Sequence, residues 1–487
     1  MRHQALLVAL FFLLGLGLAA KPSFTLLLLL VTLSLPYHKK PLLLCFLLLC
    51  SFTAFVYGKF SLPSFPSNQK QFEGTAHFVP KEIKEHRSHF KKKYLVKGII
   101  SSMEGTLGEK ASCIPCTLPL PLSLRPLNAS EYLLQGTLEK TPTGFSFSLS
   151  SNVWTEEKKR HLLFTQLVEK RFCSKQKISS LIHTAYPDTR VADFLTALTV
   201  GNLNDSLLRF SFGRLGLQHI LAISGFHFGL LALFLGGLLR HMLSEKNAHI
   251  ALLACLTGYF LFLGSSPSIT RTYLAALFYL IGRLGKWRTN SLNLFGVVLL
   301  LELLFFPRNI THLGFQLSFL ATGSILFLFP LTSFWVEKIF PKRSKEQALL
   351  LTLAARWTYL FCCFLRTTFA LNFAVHLTMI PVCLLYFGKF PLMSLAYNLF
   401  TPLAVSLSLF ILFASFPLFL LCPPLASLLS ICNQKFTARI LTLIIEAPMR
   451  FDLYIRPPQI PEWLILIILL GIFSLPILMQ KTSSANS

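Results

Sequence analysis

Charge is scarce in this sequence, and acidic charge is the scarcest: 13% of residues are charged, with 20 Asp and Glu against 45 Lys and Arg. A soluble domain carries about a quarter charged residues, so a water-soluble body is excluded as the main architecture. Several chemistries are missing as well. No G-x-x-x-x-G-K-[ST] phosphate loop occurs, so a P-loop ATPase is excluded. There is no H-E-x-x-H, no histidine-rich cluster, and no G-x-S-x-G elbow with an evident base. No catalytic residue, metal or cofactor is therefore expected, and the chain does not read as an enzyme.

What is abundant is apolar. Of the 487 residues 53% are hydrophobic and the mean hydropathy is +0.61, which implies a polytopic helical membrane protein. The formal net charge of +25 suits loops held at an anionic inner leaflet, or an anionic partner such as nucleic acid.

Residues 1–57 contain three apolar runs, Gln4–Ala20, Ser23–Pro36 and Pro41–Tyr57. The first, with Arg2 before it and Leu18-Ala19-Ala20 at its end, has the outline of a signal peptide, but the two runs behind it argue for retained membrane helices. Residues 58–154 contain no run long enough to span. Lys93–Ser102, Glu131–Lys140 and Gly144–Ser150 have strand composition, and Phe145–Leu149 alternates with period two, which predicts a small β-rich domain. Lys84, Arg87, Phe90, Lys91, Lys92, Lys93, Tyr94 and Lys97 interleave basic and aromatic residues. Such a surface suits single-stranded nucleic acid; a solvated charge run, diluted by Glu82 and Glu85, is the other reading. Cys113, Cys116 and Cys173 are three thiols in this region, and in an oxidising compartment two of them are expected to pair. Zinc lacks an identifiable fourth ligand.

Residues 155–213 read as a helical connector. It starts at Thr155-Glu156-Glu157 with Leu162, Leu163, Leu167 and Phe172 on one face, and Val191–Arg209 forms a second amphipathic stretch. Residues 214–421 hold the main membrane region, with spans expected at Gly216–Leu239, Ile250–Leu263, Ile269–Leu284, Leu292–Phe306, Gly314–Leu331, Leu349–Leu365, Thr368–Phe387 and Leu392–Leu421. Within 422–487, Pro423–Pro457 reads as interfacial and Glu462–Met479 as a last span, about eleven to twelve transmembrane helices in all. Basic residues gather in alternate loops: Arg240 with Lys246, Arg283 with Lys286 and Arg288, Lys338 with Lys342, Arg343 and Lys345. The positive-inside rule puts these in the cytoplasm, hence the β-rich domain outside a cytoplasmic (inner) membrane.

Gly216–Gly229 is unusual for a membrane segment, since His219, Ser224, Gly225 and His227 sit in its first half. On one continuous helix the two histidines, eight residues apart, fall on roughly one face. Polar groups in hydrocarbon cost free energy unless partnered, so the segment reads as a channel wall or as helix-packing glue. Arg271 at the head of a span, Gln316 with Ser318 in another, and Arg356 inside Leu349–Leu365 are further lining candidates. Arg366, Asn372, His376 and Asn398 are weaker, because snorkelling or capping explains each.

His219-Ile220-Leu221-Ala222-Ile223-Ser224-Gly225-Phe226-His227 resembles the H-L-L-A-I-S-G-L-H signature of the ComEC-type competence proteins. Pro267–Arg271, Gly314–Phe319, and Pro381 with Asn398 and Pro402 are similar to that family's later motifs, in the same order. The resemblance implies an OB-type domain at 58–154 and a channel for single-stranded DNA. It also implies an extracytoplasmic DNA receptor and a helicase-like cytoplasmic ATPase as partners, besides membrane lipid and possible self-association. Many family members continue into a metallo-β-lactamase-like domain with H-x-H-x-D-H ligands. This sequence ends at Ser487 without them, so strand degradation is expected either to belong to a separate nuclease or to be missing from the system. The rival readings are a secondary transporter of a small anion and an intramembrane lipid or peptide enzyme.

Overall fold

The computed structural model describes residues 3–62, 71–87, 92–105, 110–121, 130–141, 144–150, 155–159, 162–201, 203, 205–223, 225–287, 290–343, 347, 351–458 and 460–485. Three helices come first: α1 (Gln4–Ala20), α2 (Phe24–Ser34) and α3 (Pro41–Ser61). Lipid tails give apolar helices no reason to leave lipid for one another, so their association depends on close backbone approach at small residues. Gly15 of α1 lies so near the carbonyl of Ser51 in α3 that any side chain there would collide, and Gly58 meets Ala19 and Leu16 in the same way.

The β domain consists of β1 (Gln71–Arg87), β2 (Lys92–Gly105), β3 (Lys110–Pro121), β4 (Ser130–Thr141), β5 (Gly144–Leu149) and β6 (Thr155–Lys159). Strand order is β1-β2-β3-β5-β4-β6, and β1 also pairs with β4, so five strands close into an OB-like barrel and β6 extends it along β4. Side chains alternate across each strand, and the inward set of Phe72, Phe78, Ile100, Ile114, Leu118, Leu134, Leu138 and Phe147 forms the core. Two local expectations fail here. Thr155-Glu156-Glu157 is not a helix start, because it pairs with Leu133, Tyr132 and their neighbours in β4; the helix begins at Leu162. β3 was hidden by Pro115, Pro119 and Pro121, all of which point outward while Ile114, Cys116, Leu118 and Leu120 point in.

α4 (Leu162–Ala185) leads to α5 (Thr189–Val200) and α6 (Ser206–Arg214), whose first turns are capped by the Asp188 and Asp205 carboxylates. The connector is no surface element: Val191, Phe194, Leu195 and Leu198 are buried against Val405, Leu409, Leu412, Leu441 and Ile444.

After α7 (Gln218–Leu221) come α8 (Gly225–Met242), α9 (Glu245–Leu263), α10 (Pro267–Leu284), α11 (Ser291–Phe305), α12 (Leu313–Ile339), α13 (Leu353–Phe387), α14 (Ser394–Leu421), α15 (Pro423–Ile445) and α16 (Glu462–Ala485). Among the described residues seven helices are long and apolar enough to cross a membrane, namely α3, α8, α9, α12, α13, α14 and α15, and four shorter apolar helices accompany them. The chain is a multi-pass helical membrane protein with an inserted β domain. Two expected spans, Leu349–Leu365 and Thr368–Phe387, are one 35-residue helix, α13; no proline or glycine interrupts it before Pro381. Pro423–Ile445, expected at the interface, is a candidate span packed along α14. Its polar residues make the seam: Asn433 donates to the Ser408 carbonyl at 3.1 Å and to Tyr186 at 3.0 Å, and Thr437 meets Ser408 at 2.7 Å.

The barrel docks at one end of the bundle. Arg171 Nε donates to the Leu261 carbonyl (2.7 Å) and Lys175 Nζ to that of Leu263 (2.8 Å), in the last turn of α9, where cations suit the helix dipole. Lys175 also pairs with Glu82 of β1 at 3.7 Å. Lys97 of β2 lies near His312 at the head of α12, and burial with that charge holds His312 below the usual imidazole range. Its neutral Nδ1 accepts from Gly314 N at 3.1 Å. Arg240, Arg283 and Lys338 lie in the last turns of α8, α10 and α12, at the opposite end from the barrel.

Candidate functional site

Gly216–Gly229 is not one helix. Gly216 has a positive φ of 74° that leaves it pressed on Pro391 and Ser394, α7 lasts four residues, and Ala222 is extended (φ −85°, ψ 133°) before α8 restarts at Gly225. The expectation that His219 and His227 share a face of one helix is therefore corrected: they belong to different segments. The broken segment sorts its side chains. Leu217, Ile220, Leu221 and Ile223 are buried, whereas Gln218, His219 and Ala222 are exposed. Irregular backbone at membrane depth is tolerated only when buried in protein or facing a water-filled space, and Leu217, Ile220, Leu221 and Ile223 meet the first condition. Ser224 lies outside the described residues.

The restart at Gly225 is where distant motifs meet. A Cβ at Gly225 would lie 2.9 Å from Thr272 Oγ1 and 3.0 Å from Arg271 Nη2, so a side chain here would have to displace the Thr272 or Arg271 side chain of α10. Arg271 Nε donates to Ser318 Oγ of α12 at 2.9 Å, and the guanidinium carbon lies 5.9 Å from the Phe319 ring. Its two terminal nitrogens make no hydrogen bond to the described residues. A helix N-terminus carries unpaired N–H groups and partial positive charge, and here it adjoins a fixed cation. The pair forms an electropositive spot that favours an oxyanion such as a phosphate.

A second group surrounds His376. Its Nδ1 is 2.8 Å from the Asn372 carbonyl, its Nε2 is 3.3 Å from Ser394 Oγ, and the Phe390 ring stands edge-on at 5.8 Å. His219 lies near both His376 and His227. Buried His227 lies one turn into α8. Gln316, near the start of α12, donates to the Ile310 carbonyl at 2.8 Å and accepts from Tyr386 Oη at 2.5 Å, which pins it. Asn398 stands one turn after Ser394, and its buried Oδ1 has no hydrogen-bond partner among the described residues. Pro402 four residues on cannot supply the usual helical donor to the Asn398 carbonyl.

These elements lie within the part of the chain that known families recognise, since the competence protein family matches residues 203–482, more than half of the sequence. The chain belongs to the competence protein family. It is 37% identical over 134 residues to ComE operon protein 3 of Bacillus subtilis (strain 168), a similarity covering 27% of this chain and 17% of that protein. Less than a fifth of that relative's length is thus matched. No solved structure matches.

Within the competence region the most informative residue is one that the sequence reading passed over. Glu302 of α11 is fully buried; Asn309 Nδ2 donates to its Oε1 at 3.1 Å, while its Oε2 has no hydrogen-bond partner among the described residues. Its helix packs against α10, which carries Arg271. The signal was present, since a lone carboxylate in an apolar run is a functional candidate by default.

Arg356 moves the other way. It lies in the first turn of α13, with its N–H on the Thr352 carbonyl. The 35 residues of that helix extend for ~52 Å, against ~30 Å of hydrocarbon. The helix is therefore longer than one crossing needs, with Arg356 in its first turn and Pro381 in its second half. Arg366, ten residues deeper, reaches the Phe340 carbonyl at 3.4 Å.

In the barrel, the register sets Lys84 opposite Leu95 and Arg87 opposite Lys92 on the β1–β2 ribbon. The side chains of Lys84, Arg87, Lys92 and Lys93, and residues Phe90 and Lys91 altogether, lie outside the described residues. Tyr94 packs partly on the barrel core and Lys97 is exposed. Cys116 and Cys173 are free thiols, the first buried and the second exposed; the side chain of Cys113 lies outside the described residues. Cys113 and Cys116 share β3, where a three-residue step spans ~10 Å, more than a disulfide bridges.

Proposed function

We propose that this chain forms the membrane path for a single strand of DNA during natural transformation, with the barrel outside the cytoplasmic membrane and the strand delivered inward. Membership of the competence protein family gives the class of process. The observation that supports the reading is the start of α8 seated on the Arg271 guanidinium, next to a broken segment that carries exposed His219. Phosphates of a passing strand would be met by fixed positive charge, which offsets the cost of moving a polyanion through low dielectric.

The orientation rests on the basic ends of α8, α10 and α12 facing away from the barrel. In this reading the β1–β2 ribbon receives the strand from an extracytoplasmic receptor, and a helicase-like ATPase in the cytoplasm supplies the energy. A broken helix beside a cation also suits a secondary transporter of a small anion. Labelled DNA separates the two. A deletion strain should take no labelled DNA into the cytoplasm until this chain is restored; equal uptake with and without the chain would sink the DNA reading.

A further inference from the structure

The loops after α13 and α15 meet in a two-stranded ribbon, β7 (Phe390–Pro391) antiparallel to β8 (Tyr454–Ile455). Gly388 ends α13 with a positive φ of 63°, and Leu392 N donates to the Leu453 carbonyl at 2.8 Å. The ribbon is fixed to the broken segment. Tyr454 Oη donates to the Arg214 carbonyl at 3.1 Å, Arg214 forms an ion pair with Asp452 at 3.2 Å, and Pro391 lies against Gly216. Contacts along the helix ends place the ribbon at the barrel's end of the bundle. Tyr386, just before it, donates to Gln316 at the start of α12, where Ser318 accepts from Arg271 at the start of α10. A three-residue turn separates α10 from the α9 terminus on which Arg171 and Lys175 dock.

Three cations stand exposed on this ribbon and its flanks. Lys389 Nζ and the Arg456 guanidinium carbon lie 5.4 and 5.2 Å from the centre of the Tyr454 ring, and that of Arg450 lies 5.6 Å from the centre of the Phe451 ring. Aromatic faces hold such cations in place without neutralising them. Among the described residues none of the three has an ion-pair partner; the one acid in residues 447–461 is Asp452, which Arg214 occupies. Topology gives no reason for this charge, because the positive-inside bias gathers basic residues at the cytoplasmic end, and in the orientation proposed above the ribbon is at the other end. We propose that the β7–β8 ribbon is an outer lip of the path, where Lys389, Arg450 and Arg456 contact the phosphates of a single strand and guide it to the broken segment. An anionic lipid headgroup offers the same chemistry, but the negative surface potential belongs to the cytoplasmic leaflet, again at the far end. This inference rests on the DNA reading above.

The test uses the full-length protein in phosphatidylcholine nanodiscs and follows binding of a fluorescein-labelled oligothymidylate from low to high salt. Each phosphate contact adds about 0.7 to the slope of log K against log salt for a single strand. The triple variant Lys389→Gln, Arg450→Gln and Arg456→Gln should therefore flatten the slope by about 2, and each single variant by about 0.7. Lys389→Arg combined with Arg450→Lys and Arg456→Lys keeps every charge and should restore the slope. A change of less than about 1 in a triple glutamine variant that melts as the wild type does, or no change in any single variant, would overturn the inference. If, in addition, phosphatidylglycerol raises the melting temperature of the wild type but not of the triple variant, the ribbon belongs to lipid headgroups. A wild type that binds no oligothymidylate also overturns the ribbon, and the uptake experiment above decides separately whether the path falls with it. An unchanged slope in a protein that still restores uptake overturns the ribbon alone.

Discussion

Gly225 and Arg271 occupy adjoining space so closely that a single methyl group on the glycine would lie 3.0 Å from the guanidinium. Two motifs 46 residues apart in sequence thereby fix one another: the start of α8 is set by where Arg271 sits, and Arg271 is held by Ser318 from a third motif.

Gly225→Ala should therefore displace the guanidinium. Overpacking of this kind costs about 1–3 kcal/mol, so DNA uptake is expected to fall about tenfold while membrane abundance changes much less. Gly237→Ala, further along the same helix with nothing within 4 Å of its added methyl, is the control and should transport normally. Equal behaviour of the two variants, measured as uptake per molecule, would remove the close approach from the account.

The α14–α15 seam predicts the opposite pattern. Asn433 is fully buried and joins Tyr186, Ser408 and Thr437. Asn433→Leu leaves those groups unsatisfied at about 1–3 kcal/mol. Abundance in the membrane should drop, and uptake normalised to the protein that remains should not; immunoblotting against uptake in the same cells checks both.

Cys116 gives a pH prediction in the barrel. Burial pushes its thiol up to about 12, whereas an unfolded cysteine titrates near ~8.5. The folded barrel thus disfavours the thiolate, so its stability is complete below the unfolded pKa and declines as pH rises from about 8.5 toward 12. Thermal melts of the full-length protein should show that decline, and Cys116→Val should flatten it. At pH 8 a maleimide should label exposed Cys173 at once and Cys116 only after unfolding. Rapid labelling of Cys116 in the folded protein would contradict its place in the core.

What the sequence disclosed depended on whether local pattern or tertiary pairing decided the structure. The membrane class, the barrel strands at 93–102, 131–140 and 144–150, and the order of the motifs were legible, because apolar length, period-two alternation and motif order are local signals; the contacts that bring Gly225, Arg271 and Ser318 together were not. β3 was not, since its outward prolines masked the inward alternation of Ile114, Cys116, Leu118 and Leu120. Thr155–Lys159 has a helix-start pattern but becomes a strand because β4 offers it partners. The break at Ala222 follows from packing of Gly216 on Pro391 and Ser394, residues more than 170 positions away. The continuity of α13 was missed because its length is set by an absence of breakers before Pro381, whereas Glu302 was legible as a lone carboxylate in an apolar run and was passed over.

The central claim is that the exposed side of the broken helix lines a wet route for DNA, and the most direct measurement is thiol accessibility at position 219. In a background with the native cysteines replaced by serine, His219→Cys should react with a membrane-impermeant methanethiosulfonate reagent, because the native side chain is exposed. The reaction should slow severalfold while DNA is in transit and recover when transit ends. An engineered thiol at this position that stays unreactive in a transport-competent protein, or that reacts at the same rate with and without moving DNA, would show that the strand passes elsewhere.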